Sequence, residues 1–372
     1  MKIAQIAPLI ESVPPRLYGG TERVVSWLTD QLVDMGHEVT LFASGDSLTK
    51  AELVPCVERA LRLSEPHEDP VLRHLAMMDE VASRAHEFDI LHFHVDGFHF
   101  PLFRGRSSRV FTTLHGRQDL PSLRGFYRRF SEYPLISISD HQRLPLPDAN
   151  FVATIHHGLP LTLHRPTMQP AGDYLAFLGR ISPEKGVERA IEIAARVNMP
   201  LRIAAKVDAV DAAYFREVVA PLMDRPNVTF IGEIDERQKT RFLGDARALL
   251  FPIDWPEPFG LVVIEAMACG TPVLAFRAGS VPEIIQSGVN GVMVGSVEEA
   301  VARLPSALAL DRQEVRRTFV QRFSAQRMAR DYLELFSAAI MADPRVKPRR
   351  PHGASIPAVP ALPLGARAAN MS

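Results

Sequence analysis

The residues of this sequence most clearly suited to binding or catalysis are two glutamates that lie eight positions apart, Glu257 and Glu265. Between them, Pro258 disfavours a helix before it, and Gly260 permits a close approach of the backbone to a ligand. The apolar run that follows predicts a short buried helix over Leu261–Ala268. Glu257 therefore lies in a loop and Glu265 in the second helical turn, so the two carboxylates reach different parts of one extended ligand.

Two segments are suited to holding an anion. The N–H groups of Leu261 and Val262 have no helical acceptor at the start of the predicted helix, and the helix dipole adds positive potential there. The paired glycines Gly19 and Gly20 follow the first predicted strand, where backbone amides can approach a phosphate from the opposite wall. Thr21 is predicted to be the N-cap of the next helix.

Positioning these residues requires open α/β sheets, because short apolar runs alternate with amphipathic helical patterns along most of the chain. In the first half we predict a helix over Thr21–Met35, closed by Gly36. The strands predicted there are Ile3–Ala7, Val39–Ala43, Ile90–Val95, Arg109–Leu114 and Leu135–Ser139. The strands predicted in the second half are Tyr174–Leu178, Leu201–Ala205, Val228–Ile231, Ala248–Phe251, Val273–Phe276 and Gly291–Val294.

Proline content divides the chain into two Rossmann-like domains that face each other across a cleft. We predict an N-terminal domain over residues 1–160, a linker over 161–172 and a C-terminal domain over 173–323. Helical periodicity over 324–341 predicts a terminal helix. Residues 342–372, rich in Pro, Ala and Arg, predict a disordered tail.

The composition excludes several classes of protein. The 372 residues carry a formal net charge of −1, so no overall field favours nucleic acid or an anionic bilayer. Two cysteines are too few for a disulfide framework, which favours a cytoplasmic location. No apolar stretch reaches the roughly 20 residues that a membrane span needs, so membrane contact is expected to be peripheral at most.

The segment Glu257–Val273 resembles the paired-glutamate motif of glycosyltransferase family 4, with Pro-Phe-Gly after the first glutamate. The resemblance implies the GT-B fold, retention of anomeric configuration and no metal requirement. It also implies that residues 1–160 form the acceptor-side domain, that residues 173–323 form the nucleotide-sugar-binding domain and that the helix over 324–341 packs back towards the N-terminal domain. It places Glu257 beside the donor sugar and Glu265 on the ribose hydroxyls. No metal or other cofactor is therefore expected, and the nucleotide sugar is a co-substrate.

Three further segments are similar to donor-binding parts of that family. Leu178–Gly186 resembles the loop in which Arg180 and Lys185 would clamp the donor diphosphate. Fixed cations there would stabilise charge on the departing phosphate. The resemblance also assigns Gly19 and Gly20 to the diphosphate. Phe230–Ile234 is similar to the loop whose backbone meets the nucleobase, which assigns Ile234 to the donor.

Several histidines follow the family pattern. His115 ends a predicted strand at a place where a family histidine contacts the donor sugar, which makes it the second catalytic candidate. His157 and Pro160 depart from the pattern, because the family usually has asparagine and aspartate there. His92, His94 and Asp96 share one face of a strand and could bind a metal, but the family shows such histidines at the cleft without one. We therefore assign His94 and Asp96 to the acceptor pocket.

The predicted function is transfer of a hexose from a UDP- or GDP-sugar to a hydroxyl-bearing acceptor, which is a small molecule, a glycan or a lipid-linked compound. A run of seven arginines with one acid is either a solvated face or a surface that meets a phosphorylated or lipid-linked acceptor. They are Arg104, Arg106, Arg109, Arg117, Arg124, Arg128 and Arg129, and the acid is Asp119. The segment Val13–Gly20 also resembles bacterial pteridine glucosyltransferases, which favours a heteroaromatic acceptor.

Two alternatives stay open at this point. A protein that binds sugar nucleotides without turnover would keep Glu265 and the cations and would lose the groups on the sugar side. An NAD-dependent oxidoreductase would use similar sheets, but the spacing of Gly19 and Gly20 lacks the dinucleotide fingerprint.

Overall fold

The computed structural model describes residues 1–16, 19–64, 69–105 and 107–342. These residues form two α/β domains, each built on a parallel sheet, as the sequence predicts. The first sheet has the strand order β3-β2-β1-β4-β5-β6-β7 and the second has the order β10-β9-β8-β11-β12-β13. The strands are β1 Lys2–Ile6, β2 Glu38–Ser44, β3 Glu52–Val57, β4 Ile90–Phe93, β5 Val110–Thr113, β6 Leu135–Ser137, β7 Phe151–Thr154, β8 Leu175–Arg180, β9 Leu201–Lys206, β10 Val228–Gly232, β11 Ala248–Phe251, β12 Val273–Phe276 and β13 Gly291–Val294.

Helices cover both faces of each sheet, which explains why the central strands are buried along their whole length. The α-helices are α1 Gly20–Asp34, α2 Pro70–Arg84, α3 Pro121–Arg129, α4 Asp140–Arg143, α5 Val187–Arg196, α6 Ala212–Tyr214, α7 Ala220–Met223, α8 Glu236–Gly244, α9 Leu261–Ala268, α10 Val281–Ile284, α11 Val297–Leu308, α12 Arg312–Arg322 and α13 Ala325–Ala342.

Helix α1 begins one residue earlier than the sequence predicts, and this changes the role of Thr21. The N-cap is Gly19, which makes no side-chain hydrogen bond, and Thr21 lies inside the first turn. The helix ends close to the predicted place, where Gly36 has a φ of 85°. A left-handed conformation of this kind favours glycine, so Gly36 permits the turn into β2.

The chain crosses between the domains twice, and the two crossings pair with each other. Leu159 on the outgoing segment forms a parallel bridge with Ser324 on the returning one. Its N–H donates to the carbonyl of Phe323, and its carbonyl accepts from the N–H of Ala325. Gly158 is needed here, because a Cβ on it would lie 2.3 Å from the carbonyl oxygen of Ser324.

After the second crossing, α13 completes the core of the first domain. Its buried residues Met328, Tyr332 and Phe336 belong to one cluster with Ile3 of β1 and Phe111 of β5. The hydroxyl of Tyr332 also lies 3.0 Å from the Thr113 hydroxyl in the buried interior. The last described residue of the chain is Ala342, and the tail predicted from there to residue 372 otherwise lies outside the described residues.

Across the ranges that the structure describes, no helix combines the length and apolar character needed to cross a bilayer.

Replacing Tyr332 by alanine should destabilise the protein strongly, since this side chain is 0% exposed and hydrogen bonded. We expect a loss of about 3–5 kcal/mol in the free energy of unfolding, measured by urea denaturation. Met341 lies in the same helix but is 79% exposed, so Met341→Ala should cost less than about 0.5 kcal/mol. Equal losses for the two variants would contradict the packing described for α13.

Candidate active site

A cleft of about 460 Å³ lies between the two domains, at the carboxyl ends of strands from both sheets. Such an edge is where open α/β sheets bind their ligands. Arg117 of the arginine-rich segment lines it, and so do all eleven residues predicted to bind the donor or to act in catalysis. They are Gly19, Gly20, His115, Arg180, Lys185, Ile234, Glu257, Gly260, Leu261, Val262 and Glu265.

The amino ends of two helices meet across this cleft. Helix α1 begins at Gly20 and α9 begins at Leu261, and a Cβ on Gly20 would lie 3.5 Å from the Leu261 side chain. Gly260, which precedes α9, has a φ of 85°, a conformation that glycine adopts without strain. Neither helix has a side-chain cap, so free N–H groups of both face the cleft. This arrangement favours a ligand with negative charge.

Glu257 is 8% exposed and is held through one of its two carboxylate oxygens. Its Oε2 accepts a hydrogen bond from the indole Nε1–H of Trp255 at 2.7 Å. The Lys185 ammonium forms a short ion pair with the same oxygen. Behind Glu257, a Cβ on Gly279 would lie 2.3 Å from the backbone nitrogen of Glu257, so the neighbouring loop can pack there only with glycine.

Glu265 is 3% exposed and lies in a network of charges that spans both domains. The Lys239 ammonium is 2.9 Å from Glu265 Oε1 and 3.5 Å from Glu236 Oε2. Glu236 in turn forms an ion pair with Arg23, which lies on α1 of the first domain. Burial opposes ionisation of Glu265, but the charges of Lys239 and its neighbours hold the Glu265 pKa below its ordinary value.

His164, Glu236 and Glu265 are the group in the described part of the chain that could hold a metal ion, since their ligand atoms lie within 4.8 Å of one another. The charges of both carboxylates are already balanced by Arg23 and Lys239.

The two cations predicted to clamp a diphosphate are both paired with acids. Arg180 lies 2.6 Å from Glu184, 3.6 Å from Asp211 and 3.7 Å from Asp208. Lys185 is paired with Glu257. These acids hold the two side chains at the cleft, and an incoming anion would compete with them.

His115 lines the cleft, and a buried polar chain holds it from behind. Its Nε2 is 2.8 Å from His94 Nδ1, and His94 Nε2 is 2.7 Å from the Gln5 side-chain oxygen. His157, which occupies the position of the family's asparagine, stacks on His115 with ring centroids 5.3 Å apart. Burial lowers the pKa of His115 to about 3 and holds the pKa of His94 and His157 well below the ordinary value. All three rings are therefore neutral at pH 7.

The two residues assigned to the acceptor pocket are not brought to the cleft. His94 is 4% exposed and points into the domain, where Gln5 and His115 occupy both of its ring nitrogens. Asp96 lies beyond the end of β4, on the exposed surface, with a φ of 49°. The strand ends at Phe93, so Asp96 does not continue the face that an extended strand would give it.

Two family models match the chain, one in each domain. The model described as "Glycosyltransferase Family 4" matches residues 18–143, and the model described as "Glycosyl transferases group 1" matches residues 167–323. The chain is a glycosyltransferase.

Relatives of this glycosyltransferase match over most of its length. It is 25% identical to an uncharacterized glycosyltransferase of Methanocaldococcus jannaschii over 339 residues, which cover 79% of this chain and 85% of that protein. It is also 25% identical to N-acetyl-alpha-D-glucosaminyl L-malate synthase of Bacillus anthracis over 312 residues, covering 74% of this chain and 80% of that protein.

The fold of the glycosyltransferase is the GT-B fold expected from the sequence. The crystal structure of HepE from Anabaena, in complex with UDP and glucose, superimposes with a TM-score of 0.67 at 19% identity. The superposition covers 91% of this chain and all of HepE. At this level of identity the likeness concerns the fold alone, and it confirms the architecture of two facing parallel-sheet domains.

Sequence reasoning about the glycosyltransferase missed several residues that line the cleft. Arg23, Lys239 and Trp255 all contribute charge or ring surface there. Trp255 had a usable signal, because it is one of only two tryptophans and stands two positions before Glu257. The others carry no signal of their own, because contacts between distant segments bring them to the site.

The buried carboxyl of Glu22, beneath the loop of Gly19 and Gly20, should make stability depend on pH. Burial raises the Glu22 pKa from 4.5 to about 7. The protonated carboxyl therefore contributes stability that is complete below pH 4.5 and is lost as the pH rises to about 7. Glu22→Gln, which is neutral at every pH, should raise the melting temperature at pH 8 relative to the unmodified protein.

The matched measurement at pH 4.5 should show little difference between Glu22→Gln and the unmodified protein. Glu132→Gln, at an exposed position, serves as the control and should leave the melting temperature unchanged at both pH values. A pH-independent effect of Glu22→Gln would count against the buried, protonated carboxyl.

Proposed function

We propose that this glycosyltransferase transfers a hexose from a nucleotide-diphosphate sugar, linked to UDP or GDP, to a hydroxyl group of an acceptor. The meeting of the amino ends of α1 and α9 across the cleft carries this proposal. A diphosphate is the part of such a donor that this field would attract. The Arg180 and Lys185 side chains line the same cleft and supply fixed positive charge.

The two glutamates would contact the parts of the donor on either side of the diphosphate. Glu265, inside α9, would accept hydrogen bonds from the ribose hydroxyls, and Glu257, in the loop before α9, would contact the sugar. Ile234, which lines the cleft near β10, would present its backbone to the nucleobase. The neutral ring of His115 suits hydrogen bonding to the sugar. A structural neighbour, HepE, is described in complex with UDP and glucose, which supports a donor of this class.

Retention of configuration would follow from attack on the face that the phosphate leaves. The bond between the anomeric carbon and the phosphate oxygen breaks, and the acceptor oxygen bonds to the same face of that carbon. The acceptor proton passes to the departing phosphate oxygen, so the charges balance without a protein nucleophile. Closure of the domains would exclude water and protect the donor from hydrolysis.

The acceptor would enter from the first domain, where Gly116 and Arg117 line the cleft. A heteroaromatic compound and a phosphorylated or lipid-linked compound both fit a wall that carries arginine. A screen of nucleotide sugars for thermal stabilisation and slow hydrolysis tests the donor without knowledge of the acceptor. Failure of every nucleotide sugar to bind would overturn the proposal.

Turnover should not need a divalent metal, because Arg180 and Lys185 are placed to balance the charge on the diphosphate. We expect full transfer or hydrolysis of the donor after treatment with a strong chelator. Activity that is lost with the chelator and restored by manganese would contradict this. It would also direct attention to the three ligand atoms of His164, Glu236 and Glu265.

The two glutamates should fail in different ways when each is changed to glutamine. Ribose does not change during transfer, so Glu265→Gln should weaken binding of UDP and of the donor equally, by roughly ten- to a hundredfold. The sugar gains positive character at the anomeric carbon, so Glu257→Gln should lower kcat and leave UDP affinity nearly unchanged. Steady-state kinetics and calorimetry on both variants give the answer. The reverse pattern would show that the roles are exchanged.

A further inference from the structure

Trp255, Lys185 and Glu257 form a compact unit at the cleft. The Trp255 indole donates to Glu257 Oε2, and the Lys185 ammonium pairs with the same oxygen. The ammonium also lies 4.8 Å from the centroid of the Trp255 ring, within the range of a cation–π interaction. Each member of the unit therefore contacts the other two.

Both donors meet Glu257 on one oxygen, and this leaves the other for a ligand. No residue in the described ranges donates to Glu257 Oε1. Oε1 is nevertheless not buried, so a ligand can reach it. The carboxylate is thus fixed at Oε2 and presents Oε1 to the cleft.

Lys185 has two competing partners in the proposed function, but Trp255 has one. If the ammonium turns to the donor diphosphate, its ion pair with Glu257 is weakened when the donor sugar binds. The indole N–H carries no charge for the diphosphate to attract. Trp255 would then be the donor that keeps Glu257 in place.

The Trp255 ring also contacts the opposite domain. The Arg117 guanidinium carbon lies 5.9 Å from its centroid, and Arg117 is fixed by two hydrogen bonds to Asp119, at 2.6 and 2.7 Å. The ring therefore has a cation of each domain within 6 Å of its centroid. Its position depends on how the domains meet.

We propose that Trp255 is a positioning residue for Glu257. It holds the carboxylate through Oε2, so that Oε1 faces the donor sugar when Lys185 turns to the diphosphate. This inference rests on the proposed function, in which Glu257 contacts the sugar.

Trp255→Phe tests the proposal, because phenylalanine keeps a ring for the two cations and removes the N–H donor. We expect kcat to fall about tenfold, the effect of one hydrogen bond to a charged group, while UDP affinity changes less than threefold. In a Glu257→Gln protein the same substitution should have no further effect on kcat, since both changes act on one carboxylate. Additive losses in this double-mutant cycle would overturn the proposal.

Tyr214→Phe is the matched control. It also removes one aromatic donor to a glutamate of the second domain, Glu188, but Tyr214 does not line the cleft. Its kcat should equal that of the unmodified protein. If Trp255→Phe proves unstable by melting temperature, Trp255→His, which keeps a ring N–H, serves instead and should retain more activity than Trp255→Leu.

A spectroscopic measurement adds a result that does not depend on turnover. The chain has two tryptophans, so Trp27→Phe leaves Trp255 as the sole one. Titration with UDP should change the emission of Trp255 as Lys185 leaves the ring face. Binding by calorimetry without any change in emission would contradict the exchange of partners by Lys185.

These variants test the role of Glu257 and the role of Trp255 separately. If Glu257→Gln leaves kcat unchanged, the role of Glu257 in the proposed function is wrong. If Glu257→Gln lowers kcat but Trp255→Phe does not, the proposed function stands and the positioning role of Trp255 is wrong.

Discussion

The meeting of two helix amino ends, at Gly20 of α1 and Leu261 of α9, is the constraint around which the cleft is arranged. Unpaired N–H groups and helix dipoles place positive potential where the two domains approach each other. Adding Arg180 and Lys185 to the same cleft raises that potential further. When no ligand is bound, nearby acids must balance this positive charge. Glu184 pairs with Arg180, and Glu257 pairs with Lys185.

The same requirement explains the environment of the paired glutamates. A buried carboxylate without a partner is strongly destabilising, and here each has its own lysine. Lys185 pairs with Glu257, and Lys239 pairs with Glu265. Since α9 contains no lysine or arginine, the lysines come from other segments, namely the loop after β8 and helix α8.

Polar contacts hold the domains together around this site. Glu283 of the second domain accepts hydrogen bonds from the backbone N–H groups of Asp140 and His141, each at 2.8 Å. The Ser139 hydroxyl donates to the carbonyl of Pro258, next to Glu257, at 2.7 Å. The bond from Asp140 to Glu283 is exposed and can be exchanged for water when the domains separate, whereas the Ser139 bond is buried.

Much of the fold follows from the sequence, because buried parallel strands read as uninterrupted apolar runs. The structure has β11, β12 and β13 with the predicted bounds, and α9 as well. The two strands that the sequence did not predict, β3 and β7, are at the edges of the first sheet. Both are partly exposed and lack a long apolar run, and β3 contains Pro55, which an edge strand tolerates.

The candidate site divides in the same way. Residues inside local motifs, such as Glu257 and Gly260, were found because short-range spacing fixes where they lie. The burial of His94 could not be predicted, since strand periodicity gives two faces and does not say which one the cleft meets. Arg23 and Lys239 meet through Glu236, across more than two hundred positions of sequence, and no local pattern reports such a meeting.

The route of the chain has a consequence for synthesis. The first domain precedes the second in the chain, but α13, which fills part of the core of the first domain, follows the second. Thr113 and Tyr332, which are in contact, are 219 positions apart. During translation one apolar face of the amino-terminal sheet therefore stays exposed until the second domain and α13 have been synthesised. A fragment that ends at the outgoing crossing, near Leu159, would keep that face open permanently and would be prone to aggregate.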